Sequence, residues 1–199
     1  PRPMARRRGP SLTRQHVVDA AIRCIEAEGP AAAGVSRVAR ELGIKPPSIY
    51  NHVGKGDALE RAISIEGNRR LMDALKPSVR GIVAPQAQLH TLAVTTRDWA
   101  RAHPHLYALM ARVPPDNEHP DFVPILTDMF DLFGRPLGQL GLTGPAALHA
   151  IRGLRASLHG FILLENSGQF ALAEAPEESF HWLLDTILRG IAAPPIADH

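Results

Sequence analysis

A single cysteine, Cys24, stands in the whole of this 199-residue chain, and one thiol can form neither an internal disulfide nor a thiolate metal site. A reducing compartment fits, and the cytoplasm is the expected location. No uninterrupted apolar run approaches the roughly 18 residues needed to cross a bilayer, and the basic opening Pro1–Pro10 has no apolar signal core behind it. Neither secretion nor membrane insertion is expected. Strand-like alternation of apolar and polar residues is also missing, as are internal repeats and low-complexity tracts. Enzyme chemistry is equally thin. There is no glycine-rich phosphate loop, no nucleophile elbow and no His-x-x-x-His pair, although the chain holds 10 histidines. Pro104 breaks the His103-x-His105 pair, so catalysis and metal sensing are both disfavoured.

What is present is a globular composition, 45% hydrophobic and 21% charged, in a chain long enough for one good core or for a small module beside a larger one. Its charge is uneven. Through Arg61 there are 11 Lys and Arg against 6 Asp and Glu, while the remainder has 11 against 14. A basic front third and an acidic rest suggest that one end meets a polyanion and the other does not.

Helical periodicity runs through most of the chain. From Arg14 to Glu28, Val18, Ala21, Ile22 and Ile25 form one apolar stripe, with Thr13 as N-cap and Gly29-Pro30 as the stop. Val35, Val38, Ala39 and Leu42 repeat the spacing over two turns before Gly43. Pro46-Pro47 then open a third helix ending near His52, since proline at the first positions lacks only an N–H that would be unpaired there. A fourth helix is predicted from an Asp57 cap to a stop at Pro77. Further helices are expected over about 85–103, 105–112, 121–140, 144–167 and 176–193. The interior loop Pro114–Pro120 is the most polar and proline-rich and is expected to be mobile. The last two helices are apolar over more than one face, which predicts burial on most sides and hence a subunit interface.

The stretch Val35–Tyr50 meets the steric demands of a helix-turn-helix. Ala39 is small where two helices cross, Gly43 tolerates a positive φ in the turn, and Val38, Leu42, Ile44 and Ile49 are apolar where these helices and the first share a core.

In this order and spacing, Val17 to Gly29, Val38-Ala39, Leu42-Gly43-Ile44, Ile49-Tyr50-Asn51-His52-Val53 and Asp57-Ala58-Leu59 resemble the tetracycline-repressor (TetR) family of transcriptional regulators. The resemblance implies an all-α protein: a basic arm and three-helix DNA-binding domain over 1–56, and a larger helical ligand-binding and dimerisation domain over 57–199. It implies double-stranded DNA carrying a near-palindromic operator as partner, a homodimer, no catalysis, and repression relieved by a small-molecule effector. By this resemblance the helix starting at Pro47 enters the major groove. Ser48 and Asn51 are then placed for base edges, Lys45, Tyr50, His52 and Lys55 for phosphates, and Arg37 is a further contact. Tyr50 has a second reading as a cap on the small core, and Arg37 and Lys55 as solvated charges. Arg6-Arg7-Arg8 is either a DNA-contacting arm or a solubilising tail. The sequence departs from the family at Val53, where Phe is frequent, at Gly56, where Lys is frequent, and at Gly34, a weaker cap than Ser or Thr.

In the body, Trp99, His103 to Met110 and Leu158-His159-Gly160 resemble a subgroup of the same family. Trp99, Tyr107, Met110, Phe133, Arg155, His159 and Phe161 are candidate effector contacts, being aromatic, soft or polar within apolar helices. For each the competing reading is plain core. Arg155 and His159 lie four apart on an apolar helix, so burying them demands a partner: an acidic ligand, a carboxylate or water. Alternatively His159 is structural, and Gly160 lets two helices approach across a dimer. A regulator controlled by a protein partner is the rival function, and an enclosed apolar cavity would favour the small molecule.

Overall fold

The computed structural model describes residues 12–192, in which all regular structure is helical. The helices are α1 (Arg14–Glu28), α2 (Val35–Glu41), α3 (Pro46–Val53), α4 (Ala58–Ser78), α5 (Pro85–Ala102), α6 (Pro104–Arg112), α7 (Val123–Gln139), α8 (Gly144–Asn166) and α9 (Pro176–Ala192), with a 3₁₀ turn over Pro30–Ala33. The Arg6–Arg8 cluster lies outside the described residues.

Local chemistry accounts for the boundaries of the first three helices. Thr13 Oγ1 accepts from the His16 amide at 3.2 Å, and the Thr13 amide donates back to His16 Nδ1 at 3.3 Å, so a histidine completes a reciprocal capping box. Gly29 ends α1 at φ 90°. Gly43 turns the chain between α2 and α3 at φ 66°, and the Ile44 amide reaches the Ala39 carbonyl at 3.0 Å. A side chain at Gly43 would be strained there. Val38, Ala39 and Ile49 are buried against Val17, Ala21 and Ile25 of α1, with Leu42 and Ile44 packed at the edge. That is the expected helix-turn-helix core.

The start and end of α4 differ from expectation. Asp57 provides no side-chain cap; its carboxylate pairs instead with Arg61 at 2.9 Å, because its backbone is already close to helical and directs the side chain along the helix. Pro77 does not stop the helix, which continues to Ser78. Pro77 lacks the amide that would donate to the Asp73 carbonyl, a loss confined to the last turn, where Ser78 Oγ donates to the Leu75 carbonyl at 2.8 Å.

One helix serves two cores. Leu59, Ala62 and Ile63 of α4 pack with α1 to α3, while Met72 and Leu75 pack under α5 and α7. The first core also takes in Leu106, Leu109 and Met110 of α6. Gly67 makes this α4–α6 contact possible, since a Cβ there would lie 2.6 Å from Met110 Sδ. The His105 ring meets the Ile25 carbonyl at 3.1 Å through Nδ1, and Arg70 joins Glu66 of α4 to Asp19 of α1. Burial pushes the Glu66 carboxyl up, but hydrogen bonds from Arg69 and Arg70 outweigh it and hold it below the usual carboxylate range. The N-terminal module is therefore clamped to the body by α4 and α6 together.

The body's main core gathers Leu89, Ala93, Leu137, Leu154, Leu158, Phe180 and Leu184. Arg97 of α5 is buried in it, paired with Glu165 of α8 and Glu177 of α9. On the outer face of α8 and α9, Trp182 is 68% exposed, Leu164 is exposed, and a Cβ at Gly153, Gly160 or Gly190 would meet nothing in this chain.

Candidate DNA interface and effector cavity

The α3 surface is built from what its core residue leaves free. Ile49 is fully buried, which turns Pro46, Pro47, Tyr50 and Asn51 outward, with Ser48 and His52 half-exposed and Lys45 and Lys55 exposed at the two ends. Among the described residues none of these side chains makes a hydrogen bond or ion pair within the protein. Tyr50 is 38% exposed, so part of its ring is open to solvent on the outer side of α3. Prolines at the first two positions remove two of the amides that a helix N-terminus ordinarily offers to phosphate. The Ser48 amide is engaged by the Lys45 carbonyl at 2.9 Å. Binding at this end thus falls to side chains.

Arg37 is placed differently from the others. Its guanidinium forks onto Glu28 through Nε, at 2.9 Å to Oε1, and reaches Glu41 at 3.0 Å. These carboxylates raise the arginine's already high pKa and, through the same hydrogen bond, lower that of Glu28. Arg37 acts as a strut between α1 and α2, its charge matched inside the protein. Arg40, one turn on, is exposed; its place at the end of a short helix was the only signal of it in the sequence.

Behind this module, α4, α6, α7 and α8 line a partly open cavity of about 500 Å³. Five of the seven candidate body residues line it: Tyr107, Met110, Phe133, Arg155 and His159. Trp99 and Phe161 do not. Trp99 packs between the cores against His103 and Tyr107, at centroid distances of 4.8 and 6.4 Å. Phe161 turns toward Phe170, Phe180 and the Arg97 guanidinium. Asn68, Met72, Met129 and Arg152 line the cavity without having been singled out. The 114–120 loop contributes Pro115 and Asn117 to the wall, and its Asp116 stands 3.6 Å from Arg61 of α4.

At the α8 wall the rings of Tyr107 and His159 stack at 5.1 Å, and Arg155 Nε donates to His159 Nε2 at 3.4 Å. Burial, and then the Arg155 charge, push the imidazole down to about 4. The folded protein therefore resists a proton that the unfolded chain accepts near histidine's ordinary 6.5. Stability contributed by neutral His159 is present above pH 6.5 and is lost as pH falls toward 4, by roughly 2 kcal/mol after allowing for partial exposure. Urea titrations at pH 7 and 4.5 should show this loss in the native protein and a smaller one in His159→Phe.

Outward-facing Tyr50 and Asn51 on a short helix flanked by Lys45 and Lys55, and a cavity wired to that module through α4 and α6, define a DNA-binding transcriptional regulator. Residues 17–59 match the family described as bacterial regulatory proteins, tetR family, and residues 89–187 match the tetracyclin repressor-like C-terminal domain. The HTH-type transcriptional regulator YobS of Bacillus subtilis is 30% identical over 183 residues, which span 90% of this chain and 93% of YobS. This protein belongs to the TetR family. Its fold is shared with ActR of Streptomyces coelicolor in complex with (S)-DNPA (TM-score 0.73, 19% identity, 92% of this chain and 98% of ActR). It is also shared with BioQ bound to its natural double-stranded DNA operator (TM-score 0.72, 21% identity, 92% of this chain and all of that one). Among the described residues no helix is long and apolar enough to cross a membrane, and no cluster of three His, Cys, Asp or Glu side chains could hold a metal.

Proposed function

We propose that this protein is a homodimeric repressor that holds a near-palindromic operator through α3 and lets go when a small molecule occupies the cavity. The observation that carries this reading is the double role of α6: Met110 and Tyr107 line the cavity, while His105 contacts the Ile25 carbonyl of α1. A ligand that displaces Met110 or Tyr107 shifts the helix on which the DNA-binding module rests, and so changes the separation of the two recognition helices. Dimerisation is assigned to the outer face of α8 and α9, where Trp182, Leu164 and three open glycines suit close helix approach in a four-helix bundle.

On DNA, Ser48 and Asn51 read base edges with Pro47 against the groove, and Lys45, Tyr50, His52 and Lys55 hold phosphates. Arg37 sets the angle between α1 and α2, and Arg40 is the better cation for DNA. The largely apolar cavity, with a few polar groups gathered on its α8 wall, favours a small-molecule effector over a protein partner. Selection from random duplexes, run at two salt concentrations with sequencing of the retained pool, tests the reading. The expected result is one enriched, roughly palindromic site that is lost with Tyr50→Ala or Asn51→Ala. Unselective, salt-sensitive retention indifferent to both substitutions would remove α3 as the reading element.

A further inference from the structure

Resting on the effector reading above, we propose that the cavity takes an organic monoacid, its carboxylate held by Arg155, Tyr107 and His159 and its apolar body lying toward α4 and α7. The first support is charge. Arg152 and Arg155 both line the cavity, and no Asp or Glu does. Neither guanidinium has a carboxylate partner among the described residues, whereas Arg97 and Arg70, also set between helices, are each matched by two.

The second support is an imbalance of donors. The Tyr107 side chain is 1% exposed, and its hydroxyl has no hydrogen-bond partner. Leaving such a group buried and unpaired is unfavourable, because it has given up water without gaining a partner. His159 accepts from Arg155 at Nε2, so its proton resides on Nδ1, which donates to no group among the described residues. The Arg155 guanidinium, the phenol and the imidazole N–H thus supply donors at stacked rings 5.1 Å apart, and no carboxylate stands in the cavity wall. A group that only accepts and carries negative charge completes this set, and a carboxylate does both. A neutral alcohol would satisfy one donor and leave the guanidinium unmatched; an ammonium group would be repelled.

The remaining wall defines the other end of the ligand. Met72, Leu75, Phe122, Met129 and Phe133 are apolar and in part flexible, and offer no pattern of polar groups. They suit an aliphatic or aryl-aliphatic body and do not suit a sugar or a second charge.

The test uses the full-length protein and three probes of equal chain length, decanoate, decanol and decylamine, measured by calorimetry and by release of the selected operator. Decanol is the more hydrophobic of the first two, so a cavity without an acid site ranks it first. The expected result is decanoate binding about tenfold tighter than decanol, with decylamine weakest. Arg155→Gln, at an exposed position, should abolish that preference and leave decanol unchanged. Tyr107→Phe should weaken decanoate alone while raising thermal stability, because an unpaired hydroxyl is removed. Decanol equal to or tighter than decanoate, or decanoate indifferent to Arg155→Gln, overturns the acid class while probe-driven DNA release still upholds the effector reading. If no probe binds and none releases DNA, both readings fall.

Discussion

Replacing Glu165 with alanine lowers the unfolding free energy by about 3 kcal/mol, the cost expected for stranding a buried charge. Arg97 is only 3% exposed at its side chain, and Glu165 receives it through two parallel bonds, 2.9 Å from Nε and 2.6 Å from the neighbouring terminal nitrogen. Without Glu165, the guanidinium keeps Glu177 at 2.7 Å and the Phe180 ring at 4.5 Å. Glu177 is about half-exposed, so much of its charge is already spent on water. For that reason Glu177→Gln costs less than about 1 kcal/mol. The informative control is the double substitution Arg97→Met with Glu165→Leu, which replaces the pair with apolar volume and stays within about 1 kcal/mol of the native protein. Urea midpoints with unchanged slopes read all three. A loss in the double variant as large as that in Glu165→Ala would mean that the pair contributes net stability by itself and not only through the penalty of breaking it.

Asn51→Ala should weaken operator binding by about a hundredfold and leave binding to a scrambled duplex unchanged. A base-edge contact is worth about 1–3 kcal/mol, and a two-fold dimer makes each contact twice. Lys45→Gln should behave in the opposite manner, weakening both duplexes and reducing the slope of log affinity against log salt by about 2, one phosphate for each protomer. The lysine's effect is large because Pro46 and Pro47 remove backbone donors that would otherwise share the load at this end of α3. Anisotropy titrations on the two duplexes at several salt concentrations separate these patterns. Equal losses on both duplexes with Asn51→Ala would move that side chain from the bases to the backbone.

Much of the front third could be read from its residues, because its signals are local. Gly43 must turn, Ala39 must be small, and Pro46-Pro47 can stand only at a helix start; each constraint acts within a few residues. Asp57 and Pro77 show where local rules gave way, since a cap and a stop also depend on how the chain enters and leaves the helix. Arg37 shows a further step. Glu28, which engages it, is nine residues earlier and on another helix, and no periodicity reveals that pairing.

In the body the gap is wider, for the same reason. Residue spacing alone establishes that α8 and α9 carry more apolar surface than one face of a core can bury, and that Arg155 and His159 lie together on α8. How that excess is divided depends on the packing of the helices. Leu154 and Leu158 face the core and also border the cavity, Leu148 and Ile151 line the cavity, and Leu164 and Trp182 remain outside. That packing also supplied Asn68 and Met72 from α4 and Met129 from α7 to the opposite wall, and turned Trp99 and Phe161 away. Hydrophobic spacing within one helix specifies which residues avoid water; what they meet instead is set by the neighbouring helices, through packing between residues far apart in the chain.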